Sequence, residues 1–128
     1  MRVLLDTHAL IWWLDDDPRL TEVARAHIAD EKTTVCVSSA SAWEMATKVR
    51  IGKLRDPENA VPRLVSILRE RGMVELPVTV AHAVEAGLLK GEHRDPFDRM
   101  LVAQSRIERM AVITSDSVFS DYGVKVIW

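Results

Sequence analysis

Five short apolar runs punctuate the chain: Val3-Leu4-Leu5, Thr33 to Val37, Met73 to Leu76, Ala111 to Thr114 and Val124 to Ile127. Runs this short and, apart from Glu75 and Lys125, this free of charge fit strands buried on both faces rather than strands with one wet face. Helical periodicity fills the intervals. Leu10, Trp13 and Leu14 mark a first helix, Ala24 and Ile28 a second within Thr21 to Ala29, and Ser41 opens a third that runs to about Val49. Val61, Leu64, Val65 and Leu68 mark a fourth, Val80 to Leu88 a fifth, and Asp95-Pro96 starts a long one ending near Met110, with a helical turn around Ser117 to Ser120. Strands that alternate with helices need crossover connections, and this predicts a three-layer α/β/α fold around a parallel sheet. No repeat, low-complexity tract or linker interrupts the pattern, so residues 1–128 are expected to form one domain.

Composition narrows the function classes. The chain is 48% apolar and 28% charged over 128 residues, as ordinary globular chains are. A single cysteine, Cys36, excludes a disulfide framework and a cysteine-rich zinc site, and in an apolar strand it reads as a small buried hydrophobe. No apolar run approaches the roughly 20 residues of a membrane helix, and Asp6 interrupts the N-terminus too early for a secretion signal. A cytoplasmic protein with no membrane partner is expected. Seventeen basic against nineteen acidic residues give a net charge of -2, so any nucleic-acid binding must rest on local placement. There is no G-x-S-x-G, no Walker loop and no G-x-G-x-x-G.

Ligands of open α/β sheets bind beyond the carboxyl ends of the strands, where strand order reverses. Asp6 follows the first strand and Asp116 the fourth; each is also a natural N-cap for the helix after it. Glu44 stands three residues after Ser41, and Asp98 three after Asp95, so both spacings fit capping boxes that would set the acids in first helical turns. Those turns face the same sheet edge. Convergence of Asp6, Glu44, Asp98 and Asp116 would crowd four carboxylates together, a situation that divalent cations relieve. All-oxygen donors favour Mg²⁺ or Mn²⁺ over Zn²⁺, and such ions suit in-line displacement at a phosphate ester.

Basic residues border these acids. Lys48, Arg50, Lys53 and Arg55 follow Glu44, and Lys90, His93, Arg94 and Arg99 flank Asp95 and Asp98. They read either as a rim for a polyanion backbone or as solvated helix faces. Thr7 and Ser115 could orient an acid or a water, or simply cap backbone. Trp12 and Trp13 are adjacent, so one helical face cannot bury both; a partner contact and packing around a corner both remain open.

Four stretches in order resemble the PIN-domain ribonucleases, and closely the VapC-like toxins. They are Leu4 to Trp12, Ser41 to Ala46 with Lys48 and Gly52-Lys53-Leu54, His93 to Gln104, and Ile113-Thr114-Ser115-Asp116. The resemblance implies a sheet of order 3-2-1-4-5. It also implies an acidic quartet of Asp6, Glu44, Asp98 and Asp116 that binds Mg²⁺ or Mn²⁺ and hydrolyses RNA, often transfer or ribosomal RNA, leaving 5'-phosphate ends. Thr7, Lys48, Lys53, Arg94, Arg99 and Ser115 are the candidate substrate contacts. Homodimers and a small VapB-like antitoxin are the implied partners. A housekeeping RNA-processing nuclease and a catalytically silent RNA- or protein-binding module are the alternatives. A receiver-like signalling domain fits poorly, since Leu76-Pro77 follows the third strand where a phosphoacceptor Asp belongs.

Overall fold

A computed structural model describes residues 1–128. The elements run β1 (Arg2–Leu5), α1 (Thr7–Leu14), α2 (Glu22–Ala29), β2 (Thr34–Ser38), α3 (Ser39–Arg50), α4 (Leu64–Glu70), β3 (Val74–Leu76), α5 (Val80–Leu88), α6 (Pro96–Glu108), β4 (Ala111–Ile113), α7 (Val118–Asp121) and β5 (Val126–Ile127). A single 3-10 turn, Val61–Arg63, leads into α4. All five strands are parallel, in the order β3-β2-β1-β4-β5.

Side-chain alternation along the strands builds two cores. Val3 and Leu5 of β1, with Val35 and Val37 of β2, meet Leu10, Ala24, Met45, Leu64 and Leu68 from α1 to α4. Leu4 and Cys36 point to the opposite face and join Val112, Leu101, Val102 and Phe119 from the second half of the chain. Cys36 is accordingly buried. β1 sits centrally between β2 and β4, and this places the strand-order reversal between β1 and β4. Trp12 packs against Trp128 at 5.7 Å, and both Trp12 and Trp13 lean on the first core. No helix is long and apolar enough to cross a membrane.

One boundary departs from expectation and matters for the site. α3 begins at Ser39, not Ser41: Ser38 stays extended at φ -71°, ψ 142°, and its hydroxyl accepts from the Ala40 amide at 3.0 Å. Continuing β2 through Ser38, paired with Leu76, moves the cap three residues earlier. Ser41 therefore lies inside the helix, and Glu44 lies in its second turn rather than in a capping box. The Asp95 cap does form, accepting from the Phe97 and Asp98 amides at 2.9 and 3.3 Å. Asp98 does not reciprocate to Asp95; its carboxylate turns to His93.

Candidate active site

Asp6 stands one residue beyond β1 and is 5% exposed. Its Oδ1 accepts from the Ala9 amide at 2.6 Å, capping α1, and its Oδ2 accepts from the Thr114 hydroxyl. Asp6 does cap α1, and its second oxygen is held from β4 rather than from the helix. Burial pushes the Asp6 carboxyl above the usual carboxylate range; the Thr114 and Ala9 hydrogen bonds work against that, and the charge of Asp116 adds to it.

Thr114, fully buried at the end of β4, also accepts from the Asp116 amide at 3.0 Å. Asp116 itself is exposed, with Oδ1 accepting from the Val118 amide at 3.0 Å. The parallel register explains the meeting: Leu5 pairs with Ile113, so Asp6 and Thr114 are the next residues off adjacent strands. Sequence reasoning singled out Ser115, which is exposed and makes no side-chain hydrogen bond, and passed over Thr114. Only knowledge that β1 and β4 are neighbours could have selected the threonine.

Glu44 reaches the cleft from α3 and is 3% exposed. Its Oε2 lies 2.5 Å from Lys48 Nζ, one turn along the helix, while Oε1 is buried without a partner. Asp98, in the first turn of α6, is hydrogen-bonded through Oδ2 to His93 Nε2 at 3.1 Å. Desolvation is the main cause that lifts its pKa to about 6; the charge of Asp95 adds to this, the His93 bond opposes it, and the fields of Glu44 and Asp116 raise it further. Asp98 thus feels Glu44 and Asp116, and Asp6 feels Asp116, so the four acids share one electrostatic field.

They do not yet share one ligating point. No three His, Cys, Asp or Glu side chains are spaced to hold a common ion as they stand. Asp6 rests on Thr114 and the Ala9 amide, Glu44 on Lys48, Asp98 on His93 and Asp116 on the Val118 amide. The donor set nevertheless fits a hard divalent ion: four carboxylates, no thiolate, and at Glu44 a buried oxygen with nothing to accept from.

The remaining candidates divide. Lys48 and Lys53 line a basic recess beside Glu44. Arg94 is exposed and makes no ion pair. Thr7 donates to Ser41 Oγ at 3.0 Å, a buried bond tying α1 to α3. Arg99 corrects the expectation of a rim cation. Its guanidinium points inward, donating from Nε to the Ala86 carbonyl at 3.2 Å, from Nη1 to the His93 carbonyl at 2.9 Å, and from Nη2 to the Leu89 carbonyl. The last turn of α5 and the loop between α5 and α6 leave carbonyls free, and three donors of the guanidinium fork are spent on them.

The parallel sheet and the acids past its carboxyl edge define a doubly wound α/β protein whose candidate site lies at the strand-order reversal. Residues 3–125 match the PIN domain, and the chain belongs to that family. Ribonuclease VapC16 of Mycobacterium tuberculosis is 38% identical over 69 residues, covering 51% of this chain and 49% of that protein. The chain therefore matches about half the length of this curated relative. Among solved structures, VapBC2 of Rickettsia felis bound to promoter DNA aligns at TM-score 0.72 and 15% identity, over 98% of this chain and 97% of that one. The Mycobacterium tuberculosis toxin VapC20, which cleaves the sarcin-ricin loop, aligns at TM-score 0.70 and 16% identity, over 95% of each chain. At these identities the likeness is one of fold.

Proposed function

We propose that the protein is a Mg²⁺- or Mn²⁺-dependent endoribonuclease and the toxin of a toxin–antitoxin pair. The observation that carries this reading is the half-satisfied Glu44 carboxylate, buried in the same field as Asp6, Asp98 and Asp116. Burying a carboxylate with an unpartnered oxygen is costly, and a divalent cation removes that cost. Family membership and the relatives' ribonuclease and toxin identities point the same way.

Asp6, Glu44, Asp98 and Asp116 are the residues that would hold the metal. When bound, it supplies charge for the phosphate oxygens and lowers the pKa of a water at the cleft. The chain's own groups supply orientation. The Ala9 amide and Thr114 hydroxyl fix both oxygens of Asp6, and the Val118 amide holds one oxygen of Asp116. His93 holds Asp98 from the loop that Arg99 clamps. Lys48, Lys53 and Arg94 offer positive charge to the RNA backbone, the sequence-independent part of such binding.

The assembly follows from the same reading. Solved VapBC toxin–antitoxin complexes share this fold, which supports a VapB-like antitoxin as partner. Val80, Val84 and Leu88, spaced four apart on α5, are 81%, 54% and 76% exposed; this bare apolar stripe supports a homodimer.

Incubation of purified protein with structured transfer or ribosomal RNA and Mn²⁺ tests the reading. Cleavage leaving 5'-phosphate ends, lost in Asp6→Asn and in excess EDTA, is the expected result; equal cleavage in either condition defeats it. Growth arrest on expression, relieved by a co-encoded small protein, separates a toxin from a processing nuclease. Light scattering of the purified chain reports the dimer.

A further inference from the structure

Beside the acids, on the Lys48 side, lies a recess of about 390 Å³, within the roughly 300–1,000 Å³ range of small-ligand sites. Thr7, His8, Trp12, Arg19, Lys48 and Lys53 line it, three cations and no carboxylate. Arg19 is paired with Asp17 at 2.8 Å and lies 4.9 Å over the Trp12 ring, so its charge is already partly met. Lys53 makes no ion pair. Lys48 belongs to two environments at once: its head group touches Glu44 Oε2 at 2.5 Å, while its side chain is 34% exposed and forms part of the recess. Glu44 is 3% exposed and its other oxygen has no partner. The lysine is the one cation in ion-pair contact with this carboxylate, and it holds only one of its oxygens.

The geometry points to a two-station lysine and a phosphate subsite. Lys48 neutralises Glu44 while the acids hold no cation. Once Glu44 is engaged by a divalent ion, the ammonium turns on its flexible stem into the recess. There, with Lys53, it holds the RNA phosphate next to the scissile one. Lys53 attracts the substrate throughout, and Lys48 joins it only when the acids are loaded. This inference rests on the nuclease reading for its ligand, but the competition between Lys48 and a metal for Glu44 does not.

Two titrations test it. In the first, Mn²⁺ alone is titrated calorimetrically into wild type and Lys48→Met. Loss of the competitor should tighten Mn²⁺ binding several-fold; equal or weaker binding overturns the first station. If Lys48→Met does not fold without metal, Lys48→Gln, which keeps a donor for Glu44, serves in the same titration. In the second, a phosphorothioate single-stranded RNA is titrated by fluorescence anisotropy with and without Mn²⁺. Lys48→Met should lose most of the affinity that Mn²⁺ adds for wild type. Lys53→Met should weaken binding in both conditions and reduce the slope of log K against log salt by about 0.7. Unchanged RNA affinity in both variants overturns the subsite while leaving the nuclease reading intact. No RNA binding by wild type overturns the second station and that reading together, and the Mn²⁺ titration still decides the first.

Discussion

The Thr114 hydroxyl donates to Asp6 Oδ2 across 108 residues of sequence and accepts from the Asp116 amide at 3.0 Å. One buried side chain thus couples the first acid of the cleft to the segment carrying the last. Its donor and acceptor functions are both used, and no water is needed to complete them.

Thr114→Val keeps the shape and removes the hydroxyl, leaving Asp6 Oδ2 and the Asp116 amide unsatisfied. Outer-shell partners of metal ligands typically contribute about 10–100-fold in affinity or activity. RNA cleavage and Mn²⁺ affinity should fall by that order, with circular dichroism showing the fold retained. Thr114→Ser, which restores the hydroxyl, should recover most of the loss.

Asp98 sets a pH dependence of the metal-free protein. Its pKa is about 6 in the folded state, against about 4 for a free Asp carboxyl. The folded state binds this proton more tightly than the unfolded state, so the contribution is complete below about pH 4 and disappears as pH rises through 6. Asp6, also raised, acts in the same direction. Asp98→Asn should raise the Tm in EDTA by several degrees at pH 7.5, on the order of 1–3 kcal/mol. That advantage should shrink toward pH 4.5. A constant or inverted difference between the two melting curves would contradict the assigned burial.

Arg99→Met removes three charge-assisted donors from the Ala86, Leu89 and His93 carbonyls. Each buried carbonyl left unpaired costs about 1 kcal/mol or more, so a loss near 2–3 kcal/mol by urea denaturation is expected. Amide exchange in residues 86–95 should accelerate before that of the sheet. Arg99→Lys should not rescue it, because one ammonium cannot span three carbonyls held by a planar fork.

Gly91 lies in that same loop at φ +112°, and a Cβ there would sit 2.8 Å from the Tyr122 hydroxyl, itself buried without a partner. Gly91→Ala should destabilise by about 1–3 kcal/mol through strained backbone and the clash. Tyr122→Phe alone should be neutral or slightly stabilising, since it deletes an unsatisfied polar atom. In the double variant the clash is relieved and only the backbone cost remains, which a denaturation cycle over the four proteins resolves.

Much of the fold was legible because strands buried on both faces write themselves as short apolar runs. Val3-Leu4-Leu5 and Ala111 to Thr114 appear at or within one residue of their observed limits, and Pro96 marks the start of α6 because its missing amide proton costs nothing there. The start of α3 was not legible: Ser38, Ser39 and Ser41 all make acceptable caps, and only the pairing of Ser38 with Leu76 on β3 selects the first. Asp6 and Asp116 were legible as residues past strand ends and Asp98 as one in a helix start, whereas Glu44, expected in a first turn, lies in the second turn of α3. Arg99 reads as a rim cation in any window of sequence, since nothing local announces three unpaired carbonyls from Ala86, Leu89 and His93.

The sequence by itself determined the layers and the parallel sheet, and marked Asp6, Glu44, Asp98 and Asp116 as candidates, because periodicity and strand-end position are local properties. Tertiary structure alone decided that Thr114 partners Asp6, through the β1–β4 register, whereas Lys48 meets Glu44 one turn along the same helix and His93 meets Asp98 from five residues away. Burial and charge proximity are set by residues distant in the chain, and these fix how far each carboxylate is pushed from its ordinary behaviour.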